Sequence, residues 1–421
     1  MFRDFPILNY PGSKRKLMKF IDTHISQNIP KDKAIFDLFA GSGSVSYFYK
    51  DKYQVYSNDS ELYSSIILDA LMKFSPTLSF EVLKREIDSY IIENKDKLTD
   101  IYGELIREEI QLFNKGSLDI KQLYFSFPNF WKLDNQSEDT DTLLNNMRNN
   151  NYYSLFTNYY SGTYFGIKQC SEIDSIRYAI EKINIDDTTK SMLLTSLFYA
   201  MKESVFSKDG HMAQYLNIEK NFEKLLKRRS VSIYSKFFQK VNEFYSPIFF
   251  KSNKNNEVFN LTIDELLYDE KNEIFENVGF IYADPPYTDM QYSRYFHLLN
   301  TVVTYQYPKM SLYRGNISKG LYTVNRFQSP LSQKSKALNY HKELFDFCYI
   351  NKIGLAFSFA YPADPQHQPT NRYVLDINDL IEYGKNLFGS KFYYVTQDYQ
   401  HSNNRNSSSK KVLEYLLIYT P

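Results

Sequence analysis

The chain has 421 residues, 43% hydrophobic and 24% charged, long enough for a sizeable core and for two structural units. Its 50 Lys and Arg against 49 Asp and Glu leave a formal net charge of +1, which excludes a bulk polycation, so any contact with nucleic acid must come from a local patch. No apolar run approaches the ~20 residues that span a bilayer, and residues 1–6 carry no signal-peptide hydrophobic segment. The two cysteines, Cys170 and Cys348, offer neither metal spacing nor a disulfide framework. The expectation is a cytoplasmic protein with no membrane attachment and no metal.

Asn9, Tyr10, Pro11, Gly12, Ser13 and Lys14 come before the first predicted strand. They read either as an exposed turn, with Lys14 one of a solvated run that continues in Arg15 and Lys16, or as a segment that sets the Tyr10 ring and the Lys14 ammonium over a ligand. Residues 34–39 predict an apolar strand ending in Asp37, Leu38 and Phe39. It runs into the small-residue turn Ala40, Gly41, Ser42 and Gly43, and residues 45–49 then predict a helix. Two glycines at a strand-to-helix turn let a ligand approach the backbone, although a plain tight turn has the same look. No Gly-Lys-Ser or Gly-Lys-Thr follows, so this is not a nucleoside-triphosphate loop.

Residues 54–57 predict a second strand ending at Asn58 and Asp59, and residues 61–74 a helix. Asp59 stands where an acid holds ribose hydroxyls in dinucleotide folds; it serves equally as a helix N-cap. Together with the glycine turn, it points to an adenosine-bearing ligand. Strand, turn, helix, strand and helix form a βαβα unit, which implies a parallel sheet with right-handed crossovers.

That rhythm stops at about residue 75. Residues 80–115 read as one long charged amphipathic helix, residues 124–164 as irregular, residues 173–183 and 190–206 as helical again, and residues 220–244 as basic residues mixed with further apolar spacing. Residues 76–245 are therefore a separate, mainly helical insertion. Strands are expected to resume at residues 247–250, 258–259, 279–283 and 353–359, with a helix at 371–388 and a terminal hairpin from 391–397 and 412–419.

The third of these resumed strands ends in Asp284, Pro285, Pro286 and Tyr287. Pro285 and Pro286 fix φ and donate no N–H, so the carbonyls there are not recruited into a helix. A carboxylate, a rigid carbonyl and an aromatic face together match an amino group on a planar ring, as on a nucleobase. A strand closed by a Pro-rich turn is the plainer alternative. Tyr292 and Arg294 follow closely and suit phosphate contact and base stacking. His297 reads as a hydrogen-bonded helix residue rather than a general base. Lys227, Arg228 and Arg229, then Arg314, Lys319, Arg326 and Arg405, lie in basic segments that are ordinarily solvated but, gathered at one sheet edge, would line a duplex groove.

In this order the motifs resemble the Dam-like (alpha-type) class of adenine-specific DNA methyltransferases. Residues 9–14, Asp37 to Gly43, Asn58 with Asp59, and Asp284 to Tyr287 carry the resemblance, which covers about the first 60 residues and everything from about residue 258. Residues 159–166, 210–214 and 292–297 look like motifs of one branch of that class. The resemblance implies a Rossmann-like methyltransferase sheet formed by residues 1–75 and 246–421. Its strands would be mostly parallel, with an antiparallel terminal hairpin, and residues 76–245 would be an inserted target-recognition domain.

The resemblance also implies S-adenosylmethionine (SAM) as donor, S-adenosylhomocysteine (SAH) as product, and double-stranded DNA as partner. Tyr10, Gly12, Lys14, Asp37, Phe39 to Gly43, Asp59 and Asp284 become cofactor positions, and Asp284, Pro285, Pro286 and Tyr287 catalytic ones. There are two departures. Ser13 replaces the family's second glycine, and Thr262 stands where an Asp is expected, with Asp264 two residues on. The role implied is restriction-modification, phage defence or epigenetic marking, in a monomer or weak dimer, with a cognate restriction endonuclease as one candidate partner. The alternatives are an RNA adenine methyltransferase and a non-catalytic SAM-dependent DNA-binding subunit.

Overall fold

The computed structural model describes residues 7–8, 12–132, 151–208, 210–268, 273–324, 326–399 and 411–421. Tyr10 and Arg405, both expected at functional positions, lie outside the described residues. Nine strands are described: β1 (Ala34–Asp37), β2 (Val55–Asn58), β3 (Glu257–Phe259), β4 (Val278–Ala283), β5 (Leu312–Tyr313), β6 (Asn316–Ile317), β7 (Gly354–Pro362), β8 (Phe392–Tyr399) and β9 (Val412–Tyr419).

Seven of them form one sheet in the order β3-β2-β1-β4-β7-β9-β8. The first five run parallel, and β9 is antiparallel to both its neighbours. The near-continuous burial of β1, β4 and β7 is what a parallel sheet covered on both faces requires. The chain leaves β1 for β2 on one side, and β4 pairs on the other. The strand order therefore switches at β1, and a crevice opens beyond the carboxyl ends of β1 and β4.

The long helix Phe80–Lys115 forms with the expected bounds, Ser79 accepting from the Val82 N–H at its start. Leu83, Ile87 and Ile91 recur every four residues and make its buried stripe, with Leu98 two turns on. The inserted helices share one core with the helix Leu62–Lys73, through Tyr63, Ile67, Leu71 and Phe74, and with Phe296, Leu298 and Leu299 near the helix His297–Thr304.

Three expectations are corrected. Residues 247–249 form a 3-10 turn rather than a strand, because Pro247 sits at its first position and donates no N–H to a ladder. The span 124–164 contains the buried helix Leu155–Tyr159, nucleated where the Phe156 and Thr157 amides meet Asp174. The helix before β8 is shorter than expected: it starts at Ile377, capped by Asp376, and the residues just before it brace the loop after β4. The helix Ala337–Ile350 and the β5–β6 hairpin add to the elements expected from periodicity.

Candidate active site

The cleft at the switch point spans about 990 Å³, its open mouth included. Gly12, Lys14, Asp37, Phe39, Ala40, Gly41, Ser42, Asp59, Asp284, Pro285, Pro286, Tyr287 and Tyr292 all line it. Gly43 does not. It turns the chain into the helix Ser44–Tyr49 at φ +78°, and a Cβ there would lie 3.0 Å from Leu68.

The floor is built by β1 and β2. Asp37 ends β1 and is buried; its Oδ2 accepts from the Ser46 amide at 3.0 Å and from the Ser46 hydroxyl at 2.6 Å. Burial raises its carboxyl to about 7, against the pull of Ser46. Asp59 ends the next strand, and both its oxygens serve the backbone: Oδ2 accepts from Gly41 N and Oδ1 from Glu61 N, each at 2.9 Å. Asp59 thus braces the glycine turn. Glu61, which no sequence motif marks, also lines the cleft and accepts from Asn300 Nδ2 at 2.9 Å. Burial, and then Asp59 beside it, push its carboxyl up to about 7.

The far wall is apolar, formed by Leu261 and Ile263. Thr262 caps the helix Ile263–Tyr268 by bonding Glu265, and Asp264 accepts from the Tyr340 hydroxyl at 2.6 Å. Neither Thr262 nor Asp264 lines the cleft.

The roof brings together residues far apart in sequence. Lys14 is not part of a solvated run: it is only 3% exposed, and its Nζ lies 3.0 Å from Asp284 Oδ1 and 2.8 Å from Glu414 Oε1. Burial opposes its charge, but the two carboxylates win and hold its pKa well above the ordinary value. Asp284 is raised to about 7, by burial first and by Glu414 as well, with Lys14 pulling the other way. Asp284 Oδ1 has no aligned hydrogen-bond donor among the described residues.

Tyr287 is pinned from three sides. Phe359 packs edge-on at 6.0 Å, Tyr373 stacks at 6.4 Å, and a Cβ at Gly12 would lie 3.1 Å from its hydroxyl. The loop carrying Tyr287 is clamped by a Thr288–Tyr373 bridge and by the Asp289 amide donating to Arg372 O at 2.9 Å.

The basic candidates separate. Arg294 and Arg326 flank the Tyr322 ring at 6.0 and 5.3 Å, next to Ser293 and Phe327 of the cleft mouth. Arg314 and Lys319 are exposed, Arg314 in the turn of the β5–β6 hairpin and Lys319 just beyond β6. Lys227 is exposed on the helix Phe222–Arg229. Arg228 and Arg229 are half-buried and engaged within the chain: Arg228 donates to Glu203 O, while Arg229 donates to the Tyr124 hydroxyl and to Thr163 O and Tyr164 O. His297 is buried with Nε2 3.0 Å from Met212 O, and burial lowers its pKa to about 3, so it stays neutral.

A family model described as D12 class N6 adenine-specific DNA methyltransferase matches residues 10–354. The modification methylase LlaI of Lactococcus lactis subsp. lactis is 23% identical over 416 residues, 98% of this chain and 54% of its own length. The type II methyltransferase M.FokI of Planomicrobium okeanokoites is 24% identical over 429 residues, 96% of this chain and 55% of its own. M.NlaIII of Neisseria lactamica, also a type II methyltransferase, is 25% identical over 308 residues, 71% of this chain and 70% of its own. The chain therefore spans about half the length of LlaI and M.FokI.

Proposed function

We propose, from the premise that this chain belongs to the D12 class of N6 adenine-specific DNA methyltransferases, that it methylates the exocyclic amine of adenine in duplex DNA with SAM as donor. The observation that carries this reading is the convergence of Lys14, Asp284 and Tyr287 over a glycine-turn cleft.

The residues present fit the donor. Carboxyls at Asp37, Asp59, Glu61 and Asp284 suit a cationic ligand, the backbone at Gly41 allows close approach, and Leu261 with Ile263 offers an apolar wall to a ring. Bound there, the donor supplies an electrophilic methyl group. The chain does the rest. Asp284 accepts an N–H of the adenine amine, which is a poor nucleophile because its lone pair is delocalised, and the rigid Pro285 carbonyl is placed to accept the second. Taking both N–H bonds draws the nitrogen towards tetrahedral geometry and localises the pair for direct displacement. Tyr287 offers a stacking face worth ~1–3 kcal/mol per base. The amine is out of reach inside a duplex, so the adenine is flipped into the cleft.

Residues 76–245 act as the target-recognition insertion in this reading. Arg294 and Arg326 at the mouth, with Arg314, Lys319 and Lys227 farther out, neutralise phosphates. The likeness to type II modification enzymes supports a role in restriction-modification beside a cognate endonuclease. The test is transfer of a tritiated methyl group from SAM to duplex DNA, with N6-methyladenine recovered on hydrolysis. Asp284→Ala should abolish transfer. Near-normal methylation by that variant, or no binding of SAM to the wild type by calorimetry, overturns the reading.

A further inference from the structure

The β9 residue Glu414 is fully buried and meets Lys14 at the site, yet the transfer chemistry does not call on it directly. Its Oε1 accepts from Lys14 at 2.8 Å and from the Ser358 hydroxyl, and its Oε2 has no hydrogen-bond partner among the described residues. An unpaired carboxylate oxygen in a sheet interior is costly, and a lone Lys14–Asp284 pair would be neutral without it. Two carboxylates on one ammonium give a buried cluster with a net charge of −1.

We infer that Glu414 is a positioning residue that, by sharing Lys14, sets the charge of the site so that it is balanced by the sulfonium of the methyl donor. This rests on the proposed SAM reading and deepens it. The balance runs through the reaction. Before transfer, Lys14⁺, Asp284⁻ and Glu414⁻ face one sulfonium, for a sum of zero. The adenine nitrogen pair forms the N–C bond, and the C–S pair returns to sulfur, which becomes a neutral thioether. An N–H bond breaks, its electrons stay on nitrogen, and the proton goes to Asp284. The cluster is then neutral facing a neutral product, so the sum is again zero. Without Glu414, Lys14, Asp284 and the donor would sum to +1 before and +1 after, disfavouring donor binding and proton acceptance relative to the wild type.

The titratable groups facing the cluster are Tyr282 on β4, whose phenol is raised well above its ordinary value by burial and then by Asp284, and Asp37 on β1. Ser358 on β7 and Gln397, opposite Glu414 on β8, carry no charge.

The test uses the full chain and two ligands that differ at sulfur, SAM and its thioether product SAH. Both carry the same amino acid and adenosine groups, so the ratio of their affinities reports the sulfonium alone. In Glu414→Gln at pH 8, that ratio should shift against SAM by about tenfold or more, the size expected for one unit charge about 10 Å away at an effective dielectric of about 20. Affinity for SAH should change little. Equal losses for both ligands, or an unchanged ratio, would mean that Glu414 is only structural.

The wild type gives a second reading that does not depend on the variant folding. Lowering the pH from 8 to 6 protonates Asp284, neutralising the cluster, together with Asp37 and Glu61, which also stand at about 7, so the same ratio should shift against SAM. A flat ratio overturns the inference. Failure of SAM to bind at all removes the underlying reading, an outcome distinct from binding without a change in preference.

Discussion

Replacing Lys14 by Met keeps the length of the side chain and removes its charge from between two carboxylates. The ammonium it removes lies 3.0 Å from Asp284 and 2.8 Å from Glu414. At an effective dielectric of about 20, each of these pairings is worth roughly 6 kcal/mol of attraction before desolvation is counted. Burying the ammonium cancels much of that, and removing one partner of a buried pair ordinarily costs about 3–5 kcal/mol. The pH dependence identifies the cause. In the wild type, Lys14 has a folded pKa above its unfolded one, so its contribution is fully present below the unfolded value and constant between pH 5 and 8.

In the variant, Asp284, already at about 7, moves further up. A carboxyl raised on folding contributes stability that is present below its unfolded pKa and lost as pH rises through the folded one. The deficit of Lys14→Met should therefore be about 3–5 kcal/mol at pH 8 and about 1 kcal/mol smaller at pH 5, the contribution of the one pH unit between the Asp284 folded pKa of about 7 and pH 8. Urea unfolding of both proteins at the two pH values measures it. A deficit below about 1 kcal/mol at pH 8, or one equal at the two pH values, refutes the buried ion triad as the source of stability.

Methyl transfer itself should rise with pH through about 7, because the amine needs Asp284 as a carboxylate; single-turnover rates from pH 5.5 to 8.5 should show one acid limb, and a flat profile excludes that role. Gly12→Ala puts a Cβ at φ +81° and 3.1 Å from the Tyr287 hydroxyl, so about 1–2 kcal/mol of backbone strain and a displaced ring should weaken DNA methylation more than SAM binding. Equal effects on both would place the damage in the fold. Asp59→Ala leaves the Gly41 and Glu61 amides without their acceptor, at about 1–3 kcal/mol for each buried N–H. Asp59→Asn keeps one accepting oxygen and should recover part of the melting temperature, whereas a direct ribose contact alone would leave the ligand-free melting temperature unchanged.

Local rules carried much of this molecule. Short apolar, β-branched and aromatic runs, the paired glycines after Asp37 and the paired prolines after Asp284 encode strand, turn and rigid rim within a few residues. They located β1, β2, β4 and β9 and most of the cleft lining. The long helix was legible because its stripe repeats every four residues between Ser79 and Gly116.

Local pattern alone left Lys14 open, since Lys14, Arg15 and Lys16 look alike; only the resemblance singled it out. Glu414 left a trace, an acid in an otherwise apolar strand, but its partner lies 400 residues away. Asp59 had the right place and spacing, yet only the fold shows both of its oxygens turned to the backbone.

What the sequence by itself determined was the class of sheet and the order of its motifs, because those follow from backbone preference and from side-chain period. What only the tertiary structure decided was the electrostatics. A charge acquires its pKa from whatever the folded chain packs around it, and here that meant joining a segment before β1, the end of β4 and the middle of β9 into one buried cluster.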